Sequence, residues 1–122
     1  MSGIFELGSK EIPNNRESVV YYVPTGISGL EDFFNIFRTL LNFPSYFGFN
    51  WNAFDECITD LDWITYYEVW IVFSDTPNIS ERDLKILNNI MIDAVDHWSR
   101  TKEKNLSVVA PHGFLGAGIT TK

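Results

Sequence analysis

The chain has 122 residues, of which 45% are hydrophobic and 16% aromatic, and its formal net charge is -7. This composition predicts one folded domain with a single core and excludes an intrinsically disordered chain. Only nine residues are Lys or Arg, so we expect no direct binding of nucleic acid, whose phosphates require clustered basic side chains.

Membrane and disulfide-rich classes are also excluded by the sequence. No apolar run approaches the roughly 18 residues of a membrane span, and the first residues lack the basic start and apolar block of a secretory signal. We therefore expect a cytoplasmic protein without membrane contact. The single cysteine, Cys57, excludes both an internal disulfide and a cysteine-rich metal site.

The first predicted elements are a strand and a helix. The run Ser18–Val23 is β-branched and aromatic, as expected of a buried strand. Ser28 and Glu31 have the spacing of a capping box and predict a helix over 30–41, which ends before the next proline. Its apolar residues recur at helical intervals at Leu30, Phe33, Phe34, Phe37, Leu40 and Leu41.

Two more strands and a long helix are predicted in the second half of the chain. The run Glu68–Phe73 is typical of a strand buried on both faces. Ser80 then begins a helix, and a turn over 102–105 leads to a third strand at 106–110. The apolar stripe of that helix consists of Leu84, Leu87, Met91, Ala94, Val95 and Trp98.

Strands that alternate with helical segments predict parallel pairing through crossover connections. We therefore predict an α/β fold, a single domain in which a three-stranded parallel sheet is packed with helices. The domain is expected over 18–110, preceded by an N-terminal arm (1–17) and followed by a C-terminal tail (111–122).

The negative charge is concentrated in the middle of the chain. Seven carboxylates and no Lys or Arg lie between positions 39 and 81, whereas the charges of the two flanking segments cancel. Eleven of the nineteen aromatic residues also fall between positions 43 and 73. Aromatic anchors supply interface energy and charges supply steering, so this composition is typical of a binding surface for a cationic partner. On composition alone, core aromatics with solvated acids remain an equal alternative.

Residues 50–61 predict a helix with two different halves, at about 100° of rotation per residue. The half predicted to pack on the core contains Trp51, Ala53, Phe54, Cys57, Ile58 and Leu61. The half predicted to face solvent contains Asn52, Asp55, Glu56, Thr59 and Asp60.

The segment 44–58, Pro-Ser-Tyr-Phe-Gly-Phe-Asn-Trp-Asn-Ala-Phe-Asp-Glu-Cys-Ile, resembles the signature of the barstar family. The shared pattern is a proline, two aromatic residues, Gly-x-Asn, and an acidic helix containing an acid, a cysteine and an aliphatic residue in succession. The resemblance extends more weakly, through the order of strands and helices, over about 18–109. It implies a small barstar-like protein that inhibits a ribonuclease by plugging its active site with this loop and helix.

The resemblance also implies which residues contact the partner. Glu56 stands at the position of the family's dominant acidic contact, and Thr59 and Asp60 continue that face. Positions in the loop and helix start that match the family are Tyr46, Gly48, Asn50, Trp51 and Asn52. Phe47 and Asp55, which belong to the same surface, complete the predicted partner-binding site.

The implied partner is a basic toxin nuclease, and a ribonuclease domain is the expected kind. The implied role of the chain is that of an immunity protein. No catalytic residue, cofactor or metal is expected, and the free chain is expected to be a monomer. The sequence has Asn52 where the family has its first helix acid, Asp55 in place of a large aromatic, and Glu56 in place of an aspartate. Because the charge is displaced along the helix, we expect a partner other than barnase.

Other classes of function remain open from the residues alone. Carboxylates suited to Mg²⁺ or Ca²⁺ occur at Asp55, Glu56, Asp60 and Asp62, although consecutive carboxylates diverge on a helix. Cys57 could act as an enzyme nucleophile, but it lies on the apolar half of its helix. A third alternative is an interaction module that has the barstar fold and binds a protein other than a nuclease, because fold alone does not decide function.

Overall fold

The computed structural model describes residues 3–8 and 11–114. Seven elements follow one another along the chain: β1 (Gly3–Glu6), β2 (Ser18–Val23), α1 (Leu30–Leu40), α2 (Trp51–Asp60), β3 (Glu68–Phe73), α3 (Glu81–Thr101) and β4 (Asn105–Ala110). The predicted α/β architecture, a parallel sheet packed with helices, is confirmed.

The sheet has four strands in the order β1-β4-β3-β2, and every neighbouring pair is parallel. The prediction of three strands was wrong by one strand. Gly3–Glu6 pairs with β4, with Ile4 opposite Val108, so part of the predicted N-terminal arm is an edge strand. A four-residue strand is too short to show a periodic hydrophobic pattern, and its pairing with the far end of the chain leaves no local signal.

The main core lies between the three helices and one face of the sheet. Alternate strand residues such as Ile71 and Val108 belong to it, together with the buried side chains of all three helices. Their neighbours Trp70, Val72 and Val109 form a smaller cluster on the opposite face. Strands β3 and β4 are therefore buried on both faces, which explains their almost uninterrupted apolar sequences.

The two longest helices begin differently. Ser80 caps α3 as predicted, because its hydroxyl accepts a hydrogen bond from the Asp83 N–H at 3.1 Å. The capping box predicted for α1 is not formed. Gly29 is the N-cap with a φ of 92° and no side-chain cap, while the Ser28 N–H donates to Asp32 Oδ2 at 3.1 Å. Glycine tolerates this left-handed backbone, so it takes the position that the serine was expected to occupy.

The segment after β4 is partly packed on the domain. Phe114 is buried, and its ring lies edge-on to Phe73 with a centroid distance of 5.2 Å. The rest of the predicted C-terminal tail, 115–122, lies outside the described residues. The limits of the three predicted segments therefore stay a prediction. Among residues 3–8 and 11–114, no helix has both the length and the hydrophobicity needed to cross a membrane.

The burial of β1 gives a direct test of its place in the fold. Ile4 is only 1% exposed within the main core, whereas Leu7, just after the same strand, is 45% exposed. We expect Ile4→Ala to lower the free energy of unfolding by about 2–4 kcal/mol, because it removes buried methyl groups and leaves a cavity. Urea unfolding measures this loss.

Leu7→Ala is the matched control for that experiment, because the Leu7 backbone N–H still donates to the Ala110 carbonyl after the substitution. We expect this control to cost less than about 0.5 kcal/mol. Equal, small losses from both variants would contradict the position of β1 in the sheet.

Candidate functional site

The candidate site is the surface of α2 together with the loop that precedes the helix. Asn50 begins the helix by accepting a hydrogen bond from the Ala53 N–H on its side-chain oxygen at 2.8 Å. Phe54, Cys57 and Ile58 are buried on the inner side. The structure therefore contains the two-sided helix that the sequence predicts.

The ring of Phe54 docks α2 on the aromatic part of the core. Its centroid lies 5.3 Å from that of Phe37, 5.6 Å from Phe33 and 5.5 Å from Trp51. Phe54 has no exposed surface. Aromatic pairs at these distances add about 0.5–1.5 kcal/mol each beyond their area burial, so they fix the helix firmly to α1.

Indole hydrogen bonds fix the two ends of α2 and the loop before it. Trp51 Nε1 donates to Asp83 Oδ1 of α3 at 3.0 Å, and Trp98 Nε1 donates to the Ile58 carbonyl at 3.0 Å. The Trp63 indole likewise donates to the Leu41 carbonyl at 2.8 Å. Trp51, predicted as a partner contact, thus also joins α2 to α3. Sequence patterns do not reveal this hydrogen bond, because its two residues are 32 positions apart.

The outer side of α2 presents the predicted polar residues to solvent. Asn52, Asp55 and Glu56 are exposed, and Thr59 and Asp60 are half-buried. The Thr59 hydroxyl donates within the helix, to the Asp55 carbonyl at 2.9 Å and the Glu56 carbonyl at 3.2 Å. Its donor capacity is therefore used internally, and the surface offers mainly carboxylate and amide groups.

No cation neutralises these carboxylates in the part of the chain that the structure describes. The ion pairs found there join Arg82 to Asp83, Arg100 to Asp96 and His112 to Glu6, so none includes α2. Asp93 of α3 instead adds a further negative charge. Partial burial, followed by the charges of Asp93 and Glu56, raises the pKa of Asp55.

We call Asp55, Glu56, Asp60 and Asp93 the acidic face. The first three were predicted from the sequence, but Asp93 was not, because only the packing of α3 beside α2 brings it near. The acidic face also opposes the helix dipole, because α2 has no acid in its first turn and no base in its last. Stability alone favours the reverse arrangement.

The loop 44–50 places its aromatic side chains on opposite sides. Tyr46 is 68% exposed, and partial desolvation with the nearby charge of Asp60 raises the pKa of its hydroxyl. Phe47 is only 6% exposed and packs on Phe43 at a centroid distance of 5.0 Å. Its predicted role as a contact therefore needs correction: a buried ring positions the loop and offers little surface to a partner. Phe49, omitted from the predicted set, is 43% exposed.

Gly48 and Asn50 shape this loop at the start of α2. A Cβ atom at position 48 would lie 3.3 Å from Asn50 Nδ2, closer than an ordinary contact. Asn50 must keep its orientation to cap the helix. Glycine at position 48 therefore leaves room for the capping side chain.

The geometry does not favour a metal site or a cysteine nucleophile. Within residues 3–8 and 11–114, no group of three or more His, Cys, Asp or Glu side chains is placed to hold a metal ion. Cys57 is 1% exposed, and desolvation, followed by the charges of Asp60 and Glu56, raises the pKa of its thiol. A neutral, buried thiol is a poor nucleophile.

A separate cavity of about 320 Å³ lies beside the first turns of α3 and the segment after β4. It is lined by Thr76, Glu81, Leu84, Lys85, Asn88, His112, Gly113 and Phe114. Asn88 Oδ1 is buried with no hydrogen-bond partner among the described residues. Glu81 and Lys85 give this cavity mixed charge, so it lacks the single-sign field of the acidic face.

The chain was compared with known protein families. A profile of the family described as Barstar (barnase inhibitor) matches residues 18–110, from the start of β2 to the end of β4. Comparisons with curated proteins and with solved structures find no match.

Partial burial of Asp55, followed by the charges of Asp93 and Glu56, has a measurable effect on stability. Since its pKa is raised above the ordinary value of 3.8, the ionised carboxylate is the form that destabilises the fold. We expect Asp55→Asn to increase the free energy of unfolding at pH 7 by on the order of 0.5 kcal/mol. The gain should disappear as the pH falls below about 3.8, where the carboxyl is protonated in both the folded and unfolded chains.

Asp96→Asn provides the control in denaturant titrations at pH 7 and pH 3. Asp96 accepts a hydrogen bond from Arg100 at 2.6 Å, so its replacement removes an attraction and should not stabilise the chain. Equal stabilisation by both variants, or a gain from Asp55→Asn that persists at pH 3, would contradict the claim that the ionised Asp55 carboxylate destabilises the fold.

Proposed function

Because a family profile matches residues 18–110, the chain belongs to the family described as Barstar (barnase inhibitor), and we propose that it is an immunity protein that inhibits a toxin nuclease. Among nucleases, we expect the inhibited enzyme to be a ribonuclease domain. The observation that carries this proposal is the acidic face, a set of exposed and half-buried carboxylates that form no ion pair with a cation of residues 3–8 or 11–114.

The chemistry of a nuclease active site fits this surface. Such a site collects Arg, Lys and His side chains that bind phosphate, and carboxylates on a rigid helix can satisfy the same groups. The inhibitor presents no phosphodiester bond to be cleaved. Binding through the acidic face therefore occludes the active site and leaves the inhibitor intact.

The rigid attachment of α2 favours tight binding. A surface that must become ordered on association loses about 0.5–1.5 kcal/mol for each immobilised, rotamer-rich side chain. Here the Asn50 cap, the buried Phe54 ring and the indole bonds of Trp51 and Trp98 already hold the helix in place. The backbone of the helix therefore needs no ordering when the partner arrives.

The proposed contacts divide by position on this surface. Glu56, exposed in the middle of α2, is the central charged contact; Asp55 precedes it in the chain, and Asp93 lies near Asp55. Tyr46 and Asp60 form the edge nearest the loop. The remaining predicted contacts are Gly48, Asn50, Trp51, Asn52 and Thr59, which lie along the loop and the helix.

The distribution of charge suggests a partner other than barnase. Asn52 leaves the first turn of α2 without an acid, and the carboxylates lie further along the helix. The partner's basic groups must lie opposite them, because displaced charges lose much of their mutual attraction. We place the chain in the cytoplasm as a monomer that needs no cofactor or metal and is not itself an enzyme.

Inhibition of ribonucleases and deoxyribonucleases by the purified chain tests the proposal. A panel of basic nuclease domains that includes barnase is assayed on labelled RNA and DNA with increasing inhibitor. We expect stoichiometric 1:1 inhibition of at least one nuclease, relieved by excess substrate analogue. A chain that retains basic proteins but inhibits no nuclease would indicate the non-nuclease interaction module.

Glu56→Ala is expected to weaken binding of the inhibited nuclease by at least about 2 kcal/mol, as for a central charged hot spot. The melting temperature of the free chain should hardly change, because Glu56 is exposed and has no cationic partner in the described structure. Calorimetric titration and thermal unfolding measure the two quantities.

Glu103→Ala is the control, since Glu103 is an equally charged, exposed residue in the turn between α3 and β4. We expect this variant to bind like the original chain. A loss below about 0.5 kcal/mol for Glu56→Ala, or equal losses for the two variants, would show that the acidic face is not the binding surface.

A further inference from the structure

Phe49 is an exposed aromatic residue at the edge of the proposed binding surface. Its ring is 43% exposed, although it contacts Phe47 at a centroid distance of 5.4 Å and Phe34 at 6.3 Å. It lies between Gly48 and Asn50, which are both proposed contacts. One side of the ring is therefore held by the core and the rest faces the solvent that a partner would displace.

The exposed part of Phe49 borders a shallow notch on the surface of α1. The notch has a volume of about 280 Å³ and is lined by Leu30, Glu31, Phe34 and Phe49. Three of these four residues are apolar, so the notch differs in character from the acidic face. A side chain with several carbon atoms would fill it and bury the remaining surface of the phenyl ring.

Charges of both signs border the notch: Glu31 is part of its lining, and Arg38 lies beside Phe49. The Arg38 guanidinium carbon lies 5.9 Å from the centre of the Phe49 ring, within the range of a cation–π contact. Glu31 would attract a basic group that Arg38 would repel, so the notch lacks the single-sign field of the acidic face. A group that approaches Phe49 is therefore favoured when it is neutral.

We propose that this notch binds an uncharged apolar side chain, aliphatic or aromatic, that the inhibited nuclease presents beside its cationic cleft. This inference rests on the proposed function and adds a specificity contact to the same interface. This occupant is favoured by continuity, because Phe49 lies in the loop that leads into α2, and by the mixed charge of Glu31 and Arg38, which attracts neither a cation nor an anion.

The contact should differ from those of the acidic face in its kinetics. Charged contacts steer the encounter, so their loss slows association and reduces its dependence on salt, whatever it does to dissociation. An apolar contact acts after the encounter, so its loss mainly accelerates dissociation. The two parts of the surface can therefore be separated by kinetics on one complex.

The experiment measures association and dissociation rates of the inhibited nuclease with the original chain and with Phe49→Ala, at several salt concentrations. We expect Phe49→Ala to weaken binding about tenfold, mainly through faster dissociation, with an unchanged salt dependence of association. Phe49→Leu, which keeps an apolar side chain, should recover most of the affinity.

Tyr22→Ala is the matched control, because Tyr22 is an exposed aromatic residue on β2 outside the notch, 58% exposed. It should bind normally, and melting temperatures of all variants show whether each remains folded. A change in affinity below about twofold for Phe49→Ala, or no recovery by Phe49→Leu in a folded chain, would overturn the proposal.

The experiment also separates failure of this inference from failure of the proposed function. If Glu56→Ala weakens binding and Phe49→Ala does not, the chain is an inhibitor without the apolar contact. If no nuclease in the panel is inhibited by the original chain, both the proposed function and the contact are contradicted.

Discussion

The packing of Phe54 into the aromatic core is the interaction on which the rest of the binding surface depends. This ring has no exposed area and lies against Phe33, Phe37 and Trp51. It fixes both the position and the rotation of α2, because a helix held by one half can present only the other half to solvent. The backbone positions from which Asp55, Glu56 and Asp60 project are therefore fixed by the core.

The acidic face has an energetic cost that the core offsets. Asp60, in the last turn of α2, loses about 0.3–1 kcal/mol to the dipole, and Asp55 is opposed by partial burial and by Asp93. Full burial of a side chain such as Phe54 or Ile58 stabilises the fold by about 1.5–3 kcal/mol. The fold can thus tolerate a repulsive surface that is unfavourable in the free chain and becomes favourable beside a cationic partner.

Much of this molecule could be predicted from local patterns, but contacts between distant segments could not. The two-sided character of α2 follows from spacing alone, and β2 and β3 are recognisable as apolar runs. By contrast, β1 pairs with the distant β4, and Asp93 approaches α2 only through helix packing. The loop 44–50 has no regular period, so its sequence could not show that Phe47 turns inward while Phe49 remains exposed.

The most direct test of the central claim is the pKa of the Asp55 carboxyl, measured by NMR in the free chain and in its complex with the inhibited nuclease. Partial burial, followed by the like charges of Asp93 and Glu56, raises the pKa of this carboxyl, and a cationic partner lowers it by stabilising the ionised form. We expect the pKa of Asp55 to lie above 3.8 in the free chain and to be lower in the complex. A pKa that stays the same or rises on binding would contradict the claim that the acidic face is the site of cation recognition.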